Sequence, residues 1–247
     1  MLTILHHDEH LVAIAKPAGL LVHRSALDAH EERFALQLLR DQLGQPVWPV
    51  HRLDKGTSGV LLFALHAEAA SRLGQAFDTG AVAKRYLALV RGWPAESEGL
   101  IEHALARDPE RASAGQPLLP ARTAWRCLAR AEWPLQIDPR FANSRFALLE
   151  ARPETGRRHQ IRRHLKHIAH PIIGDATYGK GPLNRAVAAH LGLARLWLHA
   201  LDIRIPHPAT GEPLLVEAPP GQEWRQLRAM NAWQHGYDMA WQDAGLD

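Results

Sequence analysis

Apolar and polar positions alternate in short runs over the first twenty-odd residues. Leu2 to Leu5 is followed by a polar turn at His6 to His10, then Leu11 to Ala15, a Pro-Ala-Gly turn, and Leu20 to His23. That period of two predicts short antiparallel strands. The pattern then changes: Asp28 and Glu31 have the spacing of a capping box, and Phe34, Leu38 and Leu39 form an apolar stripe that stops at Gly44, which predicts a helix. A second helix is predicted over Ala67 to Asp78, with Ala70, Leu73 and Phe77 on one face and Gly80 as its stop. From Trp93 to Pro120 periodicity fades into Pro, Gly, Glu, Ala and Ser, the composition of a long excursion with short strands.

Strands follow at Arg122 to Ala129 and Arg145 to Ala151, the second alternating as a half-buried strand does. A basic helix comes after Thr155, a short helix over Leu183 to Leu191, and a strand at Leu196 to Ile205. His207 to Pro213 reads as a hairpin turn into Leu214 to Glu217, and a last helix as spanning Glu223 to Trp233. Many short strands, few helices and no repeated βαβ spacing predict an α+β fold, a mostly antiparallel sheet with flanking helices and loops.

Composition narrows this only a little. The 247 residues can bury one substantial core, and a formal charge of +3 implies no polycationic surface. The distribution matters more: Arg157, Arg158, Arg162, Arg163 and Lys166 fall within ten residues, a local cationic face. One cysteine, Cys127, excludes an intrachain disulfide and a thiolate zinc centre. No run approaches the roughly 20 apolar residues of a membrane span, and the chain reads as cytoplasmic. His164, His167 and His170 recur every third residue, but no carboxylate lies among them and steps of three turn successive rings by about 60°. No metal site is predicted. A Walker loop and a dinucleotide fingerprint are both absent, so no motif here calls for a nucleotide cofactor.

The densest chemistry lies in HRLDKGTSGVLLFAL, His51 to Leu65. There a single carboxylate, Asp54, stands between Arg52 and Lys55 and ahead of a Thr57-Ser58-Gly59 turn cluster. A carboxylate among cations stays ionised and available, although an arbitrary Arg-x-Asp is more often a surface ion pair. Further along stand KRYLALVRG (Lys84 to Gly92), TGRRHQIRRHLKHIAHPIIGDATYG (Thr155 to Gly179) and RLWLHALDI (Arg195 to Ile203).

With AIAKPAGLLVH near the N-terminus, these segments resemble, in order and from about Leu2 to about Pro220, the pseudouridine synthases that act on uridines in ribosomal and transfer RNA. His51, Arg52, Leu53, Asp54, Thr57, Ser58 and Gly59 match the central motif without a gap. One departure is Ala15, where the family usually has Asn before Lys16-Pro17.

The resemblance implies a pseudouridine synthase-like catalytic domain over residues 1–220 and a helical extension over 221–247, with no S4-like domain ahead of it. It implies that Asp54 reacts with C1′ of the ribose, with C6 of the uracil, or with the proton at C2′, and that Arg162 pairs with Asp54. Tyr86 is expected to stack on the uracil and assist loss of the C5 proton. Arg52 is expected to aid extrusion of the base, Leu198 to line the uracil pocket, and Arg158 and Lys166 to meet RNA; with Arg162 these last two also fall four apart along one helical flank.

The segment Leu21 to Asp28, and HPIIGD followed by a Leu-rich helix, are most similar to the branch that modifies a T-stem uridine of tRNA, at position 65. A tRNA substrate is therefore expected, with ribosomal RNA as the alternative and a monomer as the acting form. Two rivals stay open on residues alone. A non-catalytic RNA-binding protein would also carry basic helices and aromatics, and a glycoside or nucleoside hydrolase would also attack C1′, though with a second carboxylate.

Overall fold

A computed structural model describes residues 1–23, 33–230 and 233. The chain divides into two compact units, residues 1–84 with 199–219, and residues 85–198 with 220–247.

The first unit opens with the hairpin β1 (Thr3–His7) and β2 (Leu11–Lys16), followed by α1 (Ala35–Leu43), β3 (Trp48–Pro49), β4 (Ser58–Ala64) and α2 (Ala67–Asp78). The chain leaves through β5 (Ala83–Arg91) into the second unit. There it forms β6 (Glu98–Glu102), β7 (Leu105–Ala106), β8 (Leu118–Leu119), β9 (Arg122–Trp133), β10 (Ser144–Pro153), α3 (Gln160–His167) and α4 (Gly181–Leu191). It returns through β11 (Leu198–Pro206) to β12 (Pro213–Glu217) and closes with α5 (Gln222–Ala229) in the second unit.

Strand β4 organises the first unit. It pairs antiparallel with β2, from Leu11 opposite Ala64 to Lys16 opposite Gly59, and parallel with β11, where His199 lies opposite Ser58. All seven of its residues are buried. Leu11, Ala13, Val60 and Leu62 form a core with Ala69, Leu73 and Ala76 of α2 and with Ile203 and Val216. Helix α2 begins where the His66 side chain accepts the amide of Ala69, and α1 ends at Gly44 in the left-handed conformation.

In the second unit β10 lies between β5 and β9, antiparallel to both, with Tyr86 opposite Ala151. Ala88, Val90, Ala147, Leu149 and Ala151 pack with Ile161 and Leu165 of α3 and with Leu198. Helix α5 buries Trp224 and Leu227, and the Trp224 ring meets Trp197 edge-on at 5.1 Å.

The fold is α+β with mostly antiparallel pairing, and β4 with β11 is its parallel exception. Several local expectations need correction, the plainest being the last helix, which ends at Ala229 and not at Trp233. The turn in the central motif falls at Lys55–Gly56, and Ser58 and Gly59 already belong to β4. Gly59 is required by close approach: its φ is 110°, and a Cβ would lie 2.1 Å from the Ala200 carbonyl oxygen. Strand β10 is buried on both faces from Phe146 to Ala151, because its odd residues join the α3 core while Phe146 stacks on Trp133 at 4.2 Å. Its one interior charge, Glu150, is met by Arg152 at 2.7 Å and Arg85 at 3.4 Å.

The basic helix is also shorter than its pattern suggested. It starts only at Gln160, after His159 takes the left-handed conformation at φ 55°, so Arg158 precedes it and shares no helical flank with Arg162 and Lys166. The capping box at Asp28 and Glu31 and the segment Arg24 to Asp28 lie outside the described residues. No described helix is long and apolar enough to cross a membrane.

Candidate active site

Asp54 sits on the loop that leads into β4, half-buried, between exposed Arg52 and Lys55. Its carbonyl accepts the amide of Thr57 at 3.0 Å, closing the turn. The loop is anchored from below by Lys16, which is only 1% exposed. The Lys16 ammonium donates to the carbonyls of Leu20 (2.7 Å), Pro17 (2.9 Å) and Lys55 (3.2 Å), and the Lys55 carbonyl also accepts the amide of Gly19 at 2.8 Å. A buried ammonium needs such acceptors, and these tie the Lys-Pro-Ala-Gly turn to the residue after Asp54.

A second anchor follows at the start of β4. Ser58 donates to Nδ1 of His199 at 2.8 Å, and Nε2 of His199 donates to the Ala218 carbonyl at 2.8 Å. His51 fixes the loop's other end. Its Nε2 accepts the amide of Leu62 at 3.0 Å, and its ring stacks on Phe77 with centroids 5.0 Å apart. Burial, reinforced by the charge of Lys84, pushes the His51 imidazole down to about 3.

The other predicted site residues belong to the second unit. Tyr86 is half-buried on β5, at the margin of the α3 core, and Leu198 is 3% exposed within that core. Arg162 lies on α3 in a buried fork: its Nε donates to Oδ2 of Asp175 at 2.8 Å and its Nη2 to Oδ1 at 2.9 Å. Oδ1 also accepts the amides of Thr177 and Tyr178, each at 2.9 Å. Burial would raise the Asp175 carboxyl, but the Arg162 guanidinium and these two amides outweigh it and hold the group below the usual carboxylate range. The Tyr178 ring lies 5.0 Å from the Arg162 guanidinium carbon and 5.7 Å from the Lys166 ammonium. The Tyr178 hydroxyl is 3.0 Å from Nδ1 of His159.

Structure thus brings Arg162 and Lys166 to one ring and turns the other cations elsewhere. Arg158 pairs with Glu110 and, at 3.6 Å, with Asp108. Arg157 donates to the Pro120 carbonyl at 3.0 Å and Arg163 to the Ala106 carbonyl at 2.9 Å. The basic cluster therefore holds down much of the 93–120 excursion as well as facing solvent. His164 is wholly buried; its Nε2 donates to the His103 carbonyl at 3.0 Å and its Nδ1 accepts from Thr123 at 2.9 Å. Burial lowers its imidazole below the ordinary value despite that bond to the carbonyl. Among the described residues no group of three or more His, Cys, Asp or Glu has the arrangement of a metal site.

Sequence reasoning missed Asp175 and Lys16. Asp175 is the only carboxylate between Thr155 and Gly179, a stretch holding five Arg and Lys. That isolation was the available signal. Lys16 signals itself as a lone cation at the end of an apolar strand.

Comparison with known proteins decides the family. The model for RNA pseudouridylate synthases matches residues 10–167. The chain belongs to the RNA pseudouridylate synthase family. It is accordingly an isomerase. This synthase is 44% identical over 239 residues to the tRNA pseudouridine synthase C of Vibrio cholerae, covering 95% of this chain and 97% of that one. It is also 44% identical to the enzyme of that name from Yersinia pestis, covering 94% and 92%. Among solved structures it resembles Human RNA Pseudouridylate Synthase Domain Containing 1, with a TM-score of 0.70, 28% identity and coverage of 89% and 84%. Human RNA Pseudouridylate Synthase Domain Containing 4 gives 0.67, 27%, 92% and 93%.

Proposed function

We propose that this synthase converts one uridine of tRNA to pseudouridine, at position 65 in the T-stem, with Asp54 as the catalytic carboxylate. The observation that carries the reading is the 44% identity, over nearly the whole chain, to proteins named tRNA pseudouridine synthase C. Ribosomal RNA is the alternative substrate.

The reaction breaks the bond from ribose C1′ to uracil N1, turns the base while it is held, joins C1′ to C5, and moves the C5 proton away as N1 regains one. It transfers no electrons or phosphate, and the residues assigned to it need no cofactor or metal. Asp54 acts ionised, at C1′, at C6 or on the proton at C2′. Its loop suits that role, being held through backbone carbonyls at Lys16 and leaving the carboxylate half-buried between cations. Arg162 is the cation assigned to pair with Asp54.

Tyr86 stacks on the trapped uracil and takes part in loss of the C5 proton. Arg52, exposed beside Asp54, holds the space vacated by the extruded base, and Leu198 borders the uracil. Lys166 meets phosphate. Arg158 does so only by exchanging its carboxylate partners Asp108 and Glu110. Residues 1–220 form the catalytic domain and 221–247 the extension, whose helix α5 packs through Trp224. The enzyme acts in the cytoplasm as a monomer.

Mapping pseudouridine in tRNA and ribosomal RNA from cells lacking the gene, complemented with wild type or Asp54→Asn, tests the reading. Loss of one tRNA pseudouridine, restored by wild type alone, is expected. A lost ribosomal site would move the substrate, and restoration by Asp54→Asn would remove Asp54 from the chemistry.

A further inference from the structure

We infer that Asp175 is a positioning residue for the isomerisation, acting on the reaction only through the orientation it imposes on Arg162; this rests on the assignment of Arg162 to the catalytic machinery above.

A guanidinium has two edges that can hydrogen-bond and two faces that can stack. Here the Nε and Nη2 edge is spent on both oxygens of Asp175, and the guanidinium carbon lies over the Tyr178 ring, 5.0 Å from its centre. An arginine held at two points of one edge and seated against a ring cannot swivel about its terminal torsions. The donors of its opposite edge are therefore aimed in a fixed direction, and these are the ones that can serve a reacting carboxylate.

Asp175 is itself immobilised to an extent that packing alone does not require. Its side chain is fully buried, and one oxygen takes the Thr177 and Tyr178 amides in addition to the arginine. Its main-chain carbonyl accepts the Gly179 amide at 3.0 Å and Nδ2 of Asn184 at 2.9 Å, while Oδ1 of Asn184 accepts the Gly174 amide at 2.9 Å. Beneath the loop, Gly174 (φ 76°) lets the chain pass so close to β11's approach that a Cβ would stand 1.6 Å from the Arg195 carbonyl oxygen.

Stability alone is a poor reason for such a site. Burying an ion pair costs about as much desolvation as its attraction returns, and an apolar pair of equal volume serves stability as well. What a two-point carboxylate fork supplies, and an apolar contact does not, is direction.

Single-turnover rates on saturating tRNA, tRNA dissociation constants and melting temperatures of Asp175→Asn, Arg162→Gln and the double variant form the test. Asn keeps the shape but turns an N–H toward the guanidinium. Asp175→Asn should slow the rate on bound RNA by roughly 10- to 100-fold, leave the dissociation constant within about twofold, and cost less than about threefold more in the Arg162→Gln background. Should Asp175→Asn fail to fold, Asn184→Ala loosens the same loop from outside and should give a smaller rate loss with the same non-additivity. Multiplying effects of the loop variant and Arg162→Gln, or a loop variant that weakens binding alone, would overturn the positioning role while leaving Arg162 in place. An Arg162→Gln variant with an unchanged rate on bound RNA would overturn both assignments.

Discussion

Acid should weaken the loop that carries Asp54, and His51 sets by how much. Its imidazole is neutral in the fold, because protonating Nε2 would set a proton against the Leu62 amide that this nitrogen accepts. Burial and Lys84 hold its folded value at about 3, against 6.5 for an exposed imidazole. The unfolded chain therefore binds a proton that the folded chain refuses at every pH between these values. The stabilisation is fully present above pH 6.5 and is lost as pH falls, at about 1.4 kcal/mol per pH unit, levelling off near pH 3. From pH 6.5 to pH 5 this amounts to about 2 kcal/mol, a substantial part of the roughly 5–15 kcal/mol that holds a domain together. Urea unfolding followed by tryptophan fluorescence at pH 7.5, 6.5, 5.75 and 5, on wild type and His51→Gln, isolates the contribution. Carboxylates and the other histidines, His164 among them, titrate alike in both proteins and cancel in the difference. The variant should be less stable at pH 7.5 yet lose about 2 kcal/mol less on going to pH 5. Equal slopes in the two proteins would refute the argument.

Lys16→Met should cost about 1 to 3 kcal/mol, since the Pro17 and Leu20 carbonyls lose their donor while that of Lys55 keeps the Gly19 amide; urea unfolding checks it, and unchanged stability would contradict the anchoring role. Gly59→Ala should destabilise by roughly 4 kcal/mol or more, because its Cβ cannot coexist with the Ala200 carbonyl; a soluble variant melting within a few degrees of wild type would argue against that contact. Lys166→Ala should lower the salt slope of tRNA binding by about one, and Arg158→Ala by clearly less, because Asp108 and Glu110 already offset its charge; equal slope changes would assign both to phosphate.

Legibility followed the range of the interactions. Helix α2 could be read to the residue because its signals are local: an apolar stripe every three or four positions and a glycine at the stop. The motif around Asp54 was legible as a pattern, yet the reason for its glycine was not, since Ala200 is 141 positions away. The basic helix was overextended because periodicity counts residues and does not see that His159 leaves helical geometry. Asp175 was passed over for a related reason. A carboxylate thirteen residues from its arginine, across a loop, has no spacing rule to betray it. Strand β10 was read as half-buried from an alternating pattern, in which Glu150 counts as a solvent-facing position, whereas Glu150 is buried by charges brought from β5 and β9.

The parallel pairing of β4 with β11 bears on how the molecule is made. Ser58 and His199 are separated by 141 residues, and all of β5 to β10 emerges from the ribosome between them. At roughly 5–20 residues per second, the strand that follows Asp54 waits on the order of ten seconds with the Ser58–Gly59 end of one edge unpaired, while the second unit still lacks α5. An unpaired strand edge is a template for association with other chains. The N-terminal third of this synthase is therefore the stretch that needs shelter during translation, and truncations ending before Ala218 should aggregate even though the residues of the Asp54 loop are all present.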